Sequence, residues 1–281
     1  ALQWVVEAAA AGPLTLSEAA SEVAMTTNHS LKDLVIVVTG ASAGIGAAIA
    51  RQASAAGAHV ALSARRDKEL QDISAKCPQS LAIVADVTQR SDVERLSAEV
   101  IAHYGHYDVW INNVGRGISC LPSELTDADI DEMVDINVKS ALYGMQVSAS
   151  HMKERGDGQI VNVSSELGRV PLVVPRTAYS GAKHFLNALT EGFRSELASA
   201  HPGITVTTVS PGLTYTDFHT GALHGGGDGR SIPGGQGPEQ VARVVLHAIE
   251  TRALDMYTRE GAKGKMLDYL GHLTSDPPPA A

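Results

Sequence analysis

From Leu34 onward the chain alternates short apolar, β-branched runs with stretches of helical periodicity. Val35 to Thr39, Val60 to Ser63, Ala82 to Val84, Val109 to Asn112, Ile160 to Val163 and Thr205 to Val209 read as strands. Their apolar residues are continuous rather than alternating, as expected of strands covered on both faces. The segments between them have the spacing of crossover helices, and a further helix is predicted over Pro238 to Thr251, with Val241, Val244, Val245, Ala248 and Ile249 on one side. Strand and helix in alternation predict an α/β fold: one doubly wound parallel sheet with helices on both faces. Its ligand site should lie at the carboxyl ends of the strands.

Two regions break the pattern. Residues 1–30 read as an N-terminal extension and residues 31–281 as a single domain. In the extension Leu2, Val5, Val6 and Ala9 have helical spacing and Thr15-Leu16-Ser17-Glu18 resembles a capping box. Met25 precedes the polar stretch before the first strand, so the part before it reads as an added or upstream-translated segment, and a mobile tail is expected. Residues 212–237 are rich in glycine and should form a long, mobile excursion, a lid or a disordered loop.

Composition narrows the partners. The 281 residues carry a net charge of -9, which disfavours a nucleic-acid partner, since such proteins usually present a basic face. Cys77 and Cys120 are too few for a disulfide framework and form no Cys-x-x-Cys spacing, which fits a reducing, cytoplasmic compartment. The first 31 residues lack Lys and Arg, unlike a secretory or transit signal. No apolar run has the length of a membrane-spanning helix, so a soluble chain without a membrane partner is expected.

The chemistry begins at Thr39-Gly40-Ala41-Ser42-Ala43-Gly44-Ile45-Gly46, a glycine turn between the first strand and an alanine-rich helix. Glycine permits positive φ and close approach of the backbone to a pyrophosphate, and the helix start supplies free N–H groups. Far downstream, Tyr179 and Lys183 stand at i and i+4 in Tyr-Ser-Gly-Ala-Lys, on one helix face, so an ammonium can stabilise a phenolate.

Between and beyond these lie Asp86-Val87, Asn112-Asn113-Val114-Gly115, Asn137, Val163-Ser164-Ser165 and Ser210-Pro211-Gly212. The ordered set resembles the short-chain dehydrogenase/reductase family over about Leu31 to Ile249, with Val114 in place of the usual alanine. The resemblance implies a Rossmann-type fold, a nicotinamide dinucleotide and a homo-oligomer, a dimer or tetramer. It also implies that Gly40, Ser42, Gly44, Ile45, Gly46, Asn113, Pro211 and Gly212 border the cofactor. Asp86 and Val87 would meet the adenine, Asn112 would steady its strand, and Thr214 and Thr216 would hold the nicotinamide carboxamide. Lys183 would hold the nicotinamide ribose, with Tyr179 also against the cofactor, and Asn137 would anchor a water that relays protons through Lys183.

The second strand selects the dinucleotide. An acid at its end would bind ribose hydroxyls and repel a 2′-phosphate, but Ala64 stands there, followed by Arg65 and Arg66. A guanidinium offers bidentate donors to phosphate. NADP(H) is therefore expected, with Arg65 as the main clamp and Ser63 or Arg66 as helpers.

Hydride transfer to a carbonyl leaves an alkoxide that needs a proton and a fixed donor beside it. Tyr179 is the expected acid and base. Lowering its pKa from near 10 to about 7.5 needs roughly 3.4 kcal/mol of preferential phenolate stabilisation, which Lys183 and a nicotinium cation would supply. Ser165, with Ser164 second, is the expected carbonyl-binding hydroxyl. The family's spacing of thirteen residues before the tyrosine falls instead on Glu166, which implies one inserted residue within 169–178. Glu166 itself is expected to be a solvated carboxylate.

Leu121, Leu167, Val173, Val174, Tyr215 and Phe218 are candidates for an apolar pocket. His219, His224, Asp217 and Asp228 have no metal-ligand spacing, so no metal is expected. The sequence thus predicts NADP(H)-dependent interconversion of a ketone or aldehyde and an alcohol. The alternatives are a 3-ketoacyl thioester reductase, which should display a basic docking patch, and a non-catalytic NADPH-sensing module, which needs only the cofactor half of the motifs.

Overall fold

The computed structural model describes residues 29–273. The expectations placed on Leu2 to Met25, including the short helices, lie outside the described residues.

Seven parallel strands form one sheet in the order β3-β2-β1-β4-β5-β6-β7. They are β1 (Val35–Thr39), β2 (His59–Ala64), β3 (Leu81–Val84), β4 (Val109–Asn112), β5 (Gly158–Val163), β6 (Ile204–Ser210) and β7 (Asp255–Tyr257). β1 and β5 are buried along their whole length, and the two polar side chains of β5, Gln159 and Asn162, are satisfied by hydrogen bonds inside the core. The chain winds outward from β1 in one direction to β3, then returns and winds through β4 in the other. The β1/β4 junction is therefore the switch point at which such sheets open a ligand crevice.

The helices are α1 (Gly44–Ala55), α2 (Asp67–Ser74), α3 (Arg90–Tyr104), α4 (Asp127–Val134), α5 (Ser140–Arg155), α6 (Thr177–Ala200), α7 (Pro238–Glu250) and α8 (Ala262–Leu273). Apolar residues of α1, α2 and α7 pack on one face of the sheet. On the other face, Val93, Leu96 and Val100 of α3 join Met145, Ala149 and Met152 of α5 and Leu186 and Leu197 of α6. The Pro238 helix buries Val241, Val245, Ala248 and Ile249 as its spacing predicts, whereas Val244 is only partly buried.

Three features went unpredicted. β7 is three residues long and has too little pattern to be read. α8 leaves Leu267 and Leu273 exposed, so it lacks a clear apolar stripe. α4 runs into α5 through one wide turn, Asp135–Lys139, and such π-type turns often mark functional sites.

The glycine-rich excursion is folded. Thr214 bridges to Gln236 and Ile118 to Leu223. Tyr215 Oη donates to the Ile232 carbonyl at 3.1 Å and accepts from Gly235 N at 2.9 Å. A Cβ at Gly235 would lie 2.2 Å from the Tyr215 ring, so glycine at that position lets the two limbs of the excursion close on each other. None of the described helices is long and apolar enough to cross a membrane.

Candidate active site

A cleft of about 1110 Å³ runs along the carboxyl edge of the sheet, from the glycine turn to the start of α6. One end is built by backbone. Gly40 and Gly44 have φ of +67° and +54°, a conformation costly to side-chain-bearing residues. At Gly46 a Cβ would lie 2.3 Å from the Gly40 carbonyl oxygen and 2.6 Å from Asn113 Nδ2. Gly46 thus stands behind the cleft wall and lets the turn fold tightly, rather than bordering the cofactor itself. Asn113 fixes the turn from the next strand: its Nδ2 donates to the Thr39 carbonyl at 3.0 Å and its N–H to Thr39 Oγ1 at 3.1 Å. Asn112 steadies its own strand, donating from Nδ2 to Asn162 Oδ1 at 2.8 Å on β5.

Gly40, Ser42, Gly44, Ile45, Arg65, Asp86, Val87, Asn113, Pro211, Gly212, Thr214 and Thr216 all line the cleft. Arg66 Nη2 donates to Ser42 Oγ at 3.0 Å, closing a polar corner between the glycine turn and the end of β2. Arg65 is 3.9 Å from Asp86, with its side chain 68% exposed, so it is free to turn toward a ligand. Ser63 Oγ, on the same wall, is buried without a hydrogen-bond partner. Thr216 touches Gly44 from the far side, where a Cβ would lie 3.2 Å from its methyl, so the excursion folds back over the glycine turn. A positive-φ backbone cradle, a helix start and an orphaned hydroxyl fit the pyrophosphate and ribose of a dinucleotide.

The other end is built by side chains. Tyr179 and Lys183 lie on the same face of α6, and both line the cleft while being 6% and 2% exposed. Around them a small apolar cluster of Ile118, Met133, Val138 and Ala182, with Phe218 and Leu167 at its margin, excludes water. The Phe218 ring meets Tyr179 edge-on at 5.3 Å between centroids. Burial pushes the Tyr179 phenol up to about 12, against the lowering effects of a hydrogen bond with the Ser165 hydroxyl and of the nearby Arg176 charge. Burial also brings Lys183 down to about 8.

The structure shows how the expected pair is arranged. Lys183 Nζ donates to the Val163 carbonyl at 3.0 Å and lies 5.9 Å from the Tyr179 ring centroid, so the ammonium is not bonded to the phenol. The hydroxyl that acts on the phenol is that of Ser165, whose influence lowers its pKa.

Ser165 Oγ also accepts from Leu167 N at 3.1 Å, fixing the start of the Glu166–Gly168 turn. Ser164 Oγ is buried and without a partner, close to where a Gly168 Cβ would lie. Both serines border the cleft, but Ser165 is the one that acts on the Tyr179 phenol. Asn137 stands one layer behind: Oδ1 accepts from Arg116 N at 3.1 Å while Nδ2 donates to the Arg116 and Met133 carbonyls. Gly115 separates it from Lys183, since a Cβ there would be 3.0 Å from Asn137 Oδ1 and 3.5 Å from Lys183 Nζ. The wide turn in the α4–α5 helix is what brings Asn137 to this place.

Other expectations also change. Glu166 is not solvated; it is buried at 6% exposure and paired with Arg259, whose Nε donates to Oε1 at 2.9 Å. Its charge was misread because the partner lies 93 residues away. Arg259 also packs over Gly212, where a Cβ would lie 2.2 Å from Nε, and Glu166 N donates to the Pro211 carbonyl at 2.9 Å. The pair therefore braces the Pro211-Gly212 turn. Of the apolar candidates, Leu167, Val173 and Phe218 line the cleft, joined by Leu172. Leu121 and Val174 are exposed and lie outside it, and Tyr215 packs on Gly235. Sequence reasoning missed Arg176, which borders the cleft three residues before Tyr179. It stands just before α6, at the helix cap rather than on the face that carries Tyr179, so helical spacing gave no signal for it.

Comparison with known proteins agrees with this arrangement. The short chain dehydrogenase family matches residues 34–224, and the chain belongs to that family. An uncharacterized oxidoreductase of Staphylococcus epidermidis is 34% identical over 199 residues, covering 69% of this chain and 84% of the relative. An alcohol dehydrogenase of Thermococcus sibiricus, solved with 5-hydroxy-NADP, superposes with a TM-score of 0.70 at 25% identity, over 80% of this chain and 95% of that one. A short-chain dehydrogenase/reductase of Burkholderia phymatum, solved with NAD, shares the fold with a TM-score of 0.78 at 19% identity, over 90% of this chain and 99% of that one. The protein is an oxidoreductase of the short-chain dehydrogenase family.

Proposed function

We propose that the protein is an NADP(H)-dependent oxidoreductase that interconverts a ketone or aldehyde and an alcohol, with Tyr179 as acid and base. The observation that carries this reading is the water-poor end of the cleft, where a buried phenol and the Ser165 hydroxyl line the same wall and Ser165 acts to lower the phenol's pKa. The bound nicotinamide would supply or accept the hydride.

The chain's own groups divide the remaining work. Ser165 orients the carbonyl oxygen and Tyr179 passes it a proton. Burial raises the phenol's pKa, which keeps the proton on it but makes it a weaker acid, so the lowering that the reaction needs must come from cationic charge beside it. Regenerating that proton requires stabilising a phenolate, and a charge on Lys183 or Arg176 favours it electrostatically. Lys183 stands between the Val163 carbonyl and Gly115, with Asn137 on the far side of that glycine, which supports a proton route past Lys183 toward Asn137.

NADP(H) is favoured over NAD(H) because no acid stands at Ala64 and two guanidiniums flank the place where a 2′-phosphate would sit. Arg66 already engages Ser42 there, so it joins Arg65 in the proposed clamp. The T. sibiricus relative solved with an NADP derivative makes the same choice reasonable here.

A panel of ketones and aldehydes scored by NADPH and NADH oxidation tests the reading. Steady turnover with NADPH preferred is expected. Tight dinucleotide binding with no turnover across the panel would replace the enzyme by a sensing module.

A further inference from the structure

The four arginines Arg65, Arg66, Arg116 and Arg259 line the cleft, and each has a carboxylate within 4 Å: Asp86, Glu69, Glu132 and Glu166 respectively. Arg176 lines it too and has no such partner among the described residues. It is 9% exposed, and its Nη1 is buried without a hydrogen-bond partner. Nη2 lies 3.1 Å from His219 Nδ1. A guanidinium can only donate, so Nδ1 accepts and His219 is neutral, with its proton on Nε2. Burial and the Arg176 charge both hold His219 in that neutral form. The contact therefore satisfies one donor without cancelling the charge.

The carboxylates of the cleft wall do not reach Arg176. Glu166 is held by Arg259, Asp86 faces Arg65, and Asp217 and Asp228 both pair with Arg230. The backbone makes room for the guanidinium. A Cβ at Gly117 would lie 2.5 Å from Nη1, and one at Gly226 would lie 3.2 Å from Nη2. Arg176 also stands at the N-terminus of α6, a 24-residue helix with no acidic residue in its first turn and no side-chain cap. The helix end adds partial positive charge to the same point. Buried charges are ordinarily paired, because an unpaired one is costly to hold away from water. A cation kept unpaired beside the reacting phenol is a seat for a charge that the protein does not itself carry.

We infer that the reaction end of the cleft selects an anionic carbonyl compound, an oxo-carboxylate whose carboxylate seats on Arg176 while its carbonyl oxygen meets Tyr179 and Ser165. The inference rests on the proposed carbonyl–alcohol activity. One planar guanidinium with a spare donor matches a monoanionic carboxylate better than a phosphate, which needs more donors. Phe218 and His219 of the excursion lie close by, Phe218 on the Gly117 side and His219 in contact with Nη2, and both line the same cleft as Arg176. The balance is that of a simple reduction. A C–H bond forms with the hydride from the reduced dinucleotide, and an O–H bond forms with the proton from Tyr179. The carbonyl carbon is reduced, the dinucleotide is oxidised and the carboxylate is unchanged.

The test compares acids with their uncharged methyl esters, pyruvate with methyl pyruvate and acetoacetate with methyl acetoacetate, in the wild type, Arg176→Gln and Arg176→Lys. At least one acid should exceed its ester in kcat/KM by about 100-fold, and Arg176→Gln should lose about that factor more on the acid than on the ester, beyond the loss that its charge near the phenol makes common to both. Arg176→Lys should keep part of the preference. Ester turned over as well as acid by the wild type overturns the inference while leaving the carbonyl–alcohol reading in place. So does an equal loss on both substrates in Arg176→Gln, or a preference for dihydroxyacetone phosphate over every acid. If nothing turns over, calorimetry of the same acids with the wild-type dinucleotide complex decides. Binding lost in Arg176→Gln keeps the anion seat although the catalytic reading has failed, and no binding to the wild type removes the seat as well.

Discussion

The two ends of the cleft handle charge in opposite ways. At the glycine-turn end the positive groups are on the surface and already have partners: Arg65 faces Asp86 and Arg66 faces Glu69. At the reaction end Lys183 and Arg176 are buried, and neither has a carboxylate partner among the described residues. Exposed pairs are weak and exchange readily for a ligand phosphate. Buried cations have their proton affinities and charges set by the protein interior, as the depressed Lys183 shows. The first end is therefore suited to binding, and the second to moving protons and discriminating between substrates.

Substitutions should separate the two ends. The largest effect is expected at Lys183. Lys183→Met should lower kcat/KM by about 1000-fold, the scale of a lost acid–base partner. It should also stabilise the cofactor-free chain by about 3 kcal/mol near pH 7, because a folded-state pKa of about 8 against an ordinary 10.5 makes the buried charge unfavourable. The sign follows from the proton count. Between pH 8 and 10.5 the unfolded chain holds a proton on Lys183 that the folded chain has lost, so wild-type stability rises with pH and the gap to the variant closes. Denaturant unfolding at pH 7 and pH 10 measures it, and a gap that widens with pH contradicts the burial argument.

At the other end, Arg65→Ala should weaken NADP binding by about 10- to 100-fold, the scale of a lost charge-assisted contact. NAD affinity and the turnover rate at saturating cofactor should change little. Fluorescence titration with both dinucleotides checks this, and equal weakening of the two removes Arg65 from the phosphate clamp. The smallest effect is expected between the ends. Arg259→Met leaves Glu166 buried without its partner and should cost about 2 kcal/mol of stability, less than a fully buried pair because Arg259 is partly exposed. Thermal unfolding would show it as a lowered midpoint, with more loss of activity than Arg65→Ala causes at saturating cofactor, since the Pro211-Gly212 turn is loosened.

The same contrast explains what was legible in the sequence. Six of the seven strands could be read because each has a run of apolar or β-branched residues at its centre, and the glycine turn could be read because its backbone conformation demands particular residues at fixed spacing. Tyr179 and Lys183 were legible because four residues of helix put them on one face. Environment was not legible. The Glu166–Arg259 pair joins positions 93 apart, so a local reading saw only a lone carboxylate. Arg176 looked like one more polar residue before a helix until Gly117, Phe218 and His219 were placed around it. Spacing located Lys183 but not its bond to the Val163 carbonyl, which decides how it acts on the phenol.

The central claim is that the buried Tyr179 phenol, beside the dinucleotide, supplies the proton. Single-turnover NADPH oxidation by Tyr179→Phe, on a carbonyl substrate that the wild type reduces, tests it most directly when NADPH affinity is measured on the same preparation. A rate lower by about 1000-fold with affinity unchanged is the predicted result. A rate near that of the wild type, with the cofactor equally well bound, would contradict it.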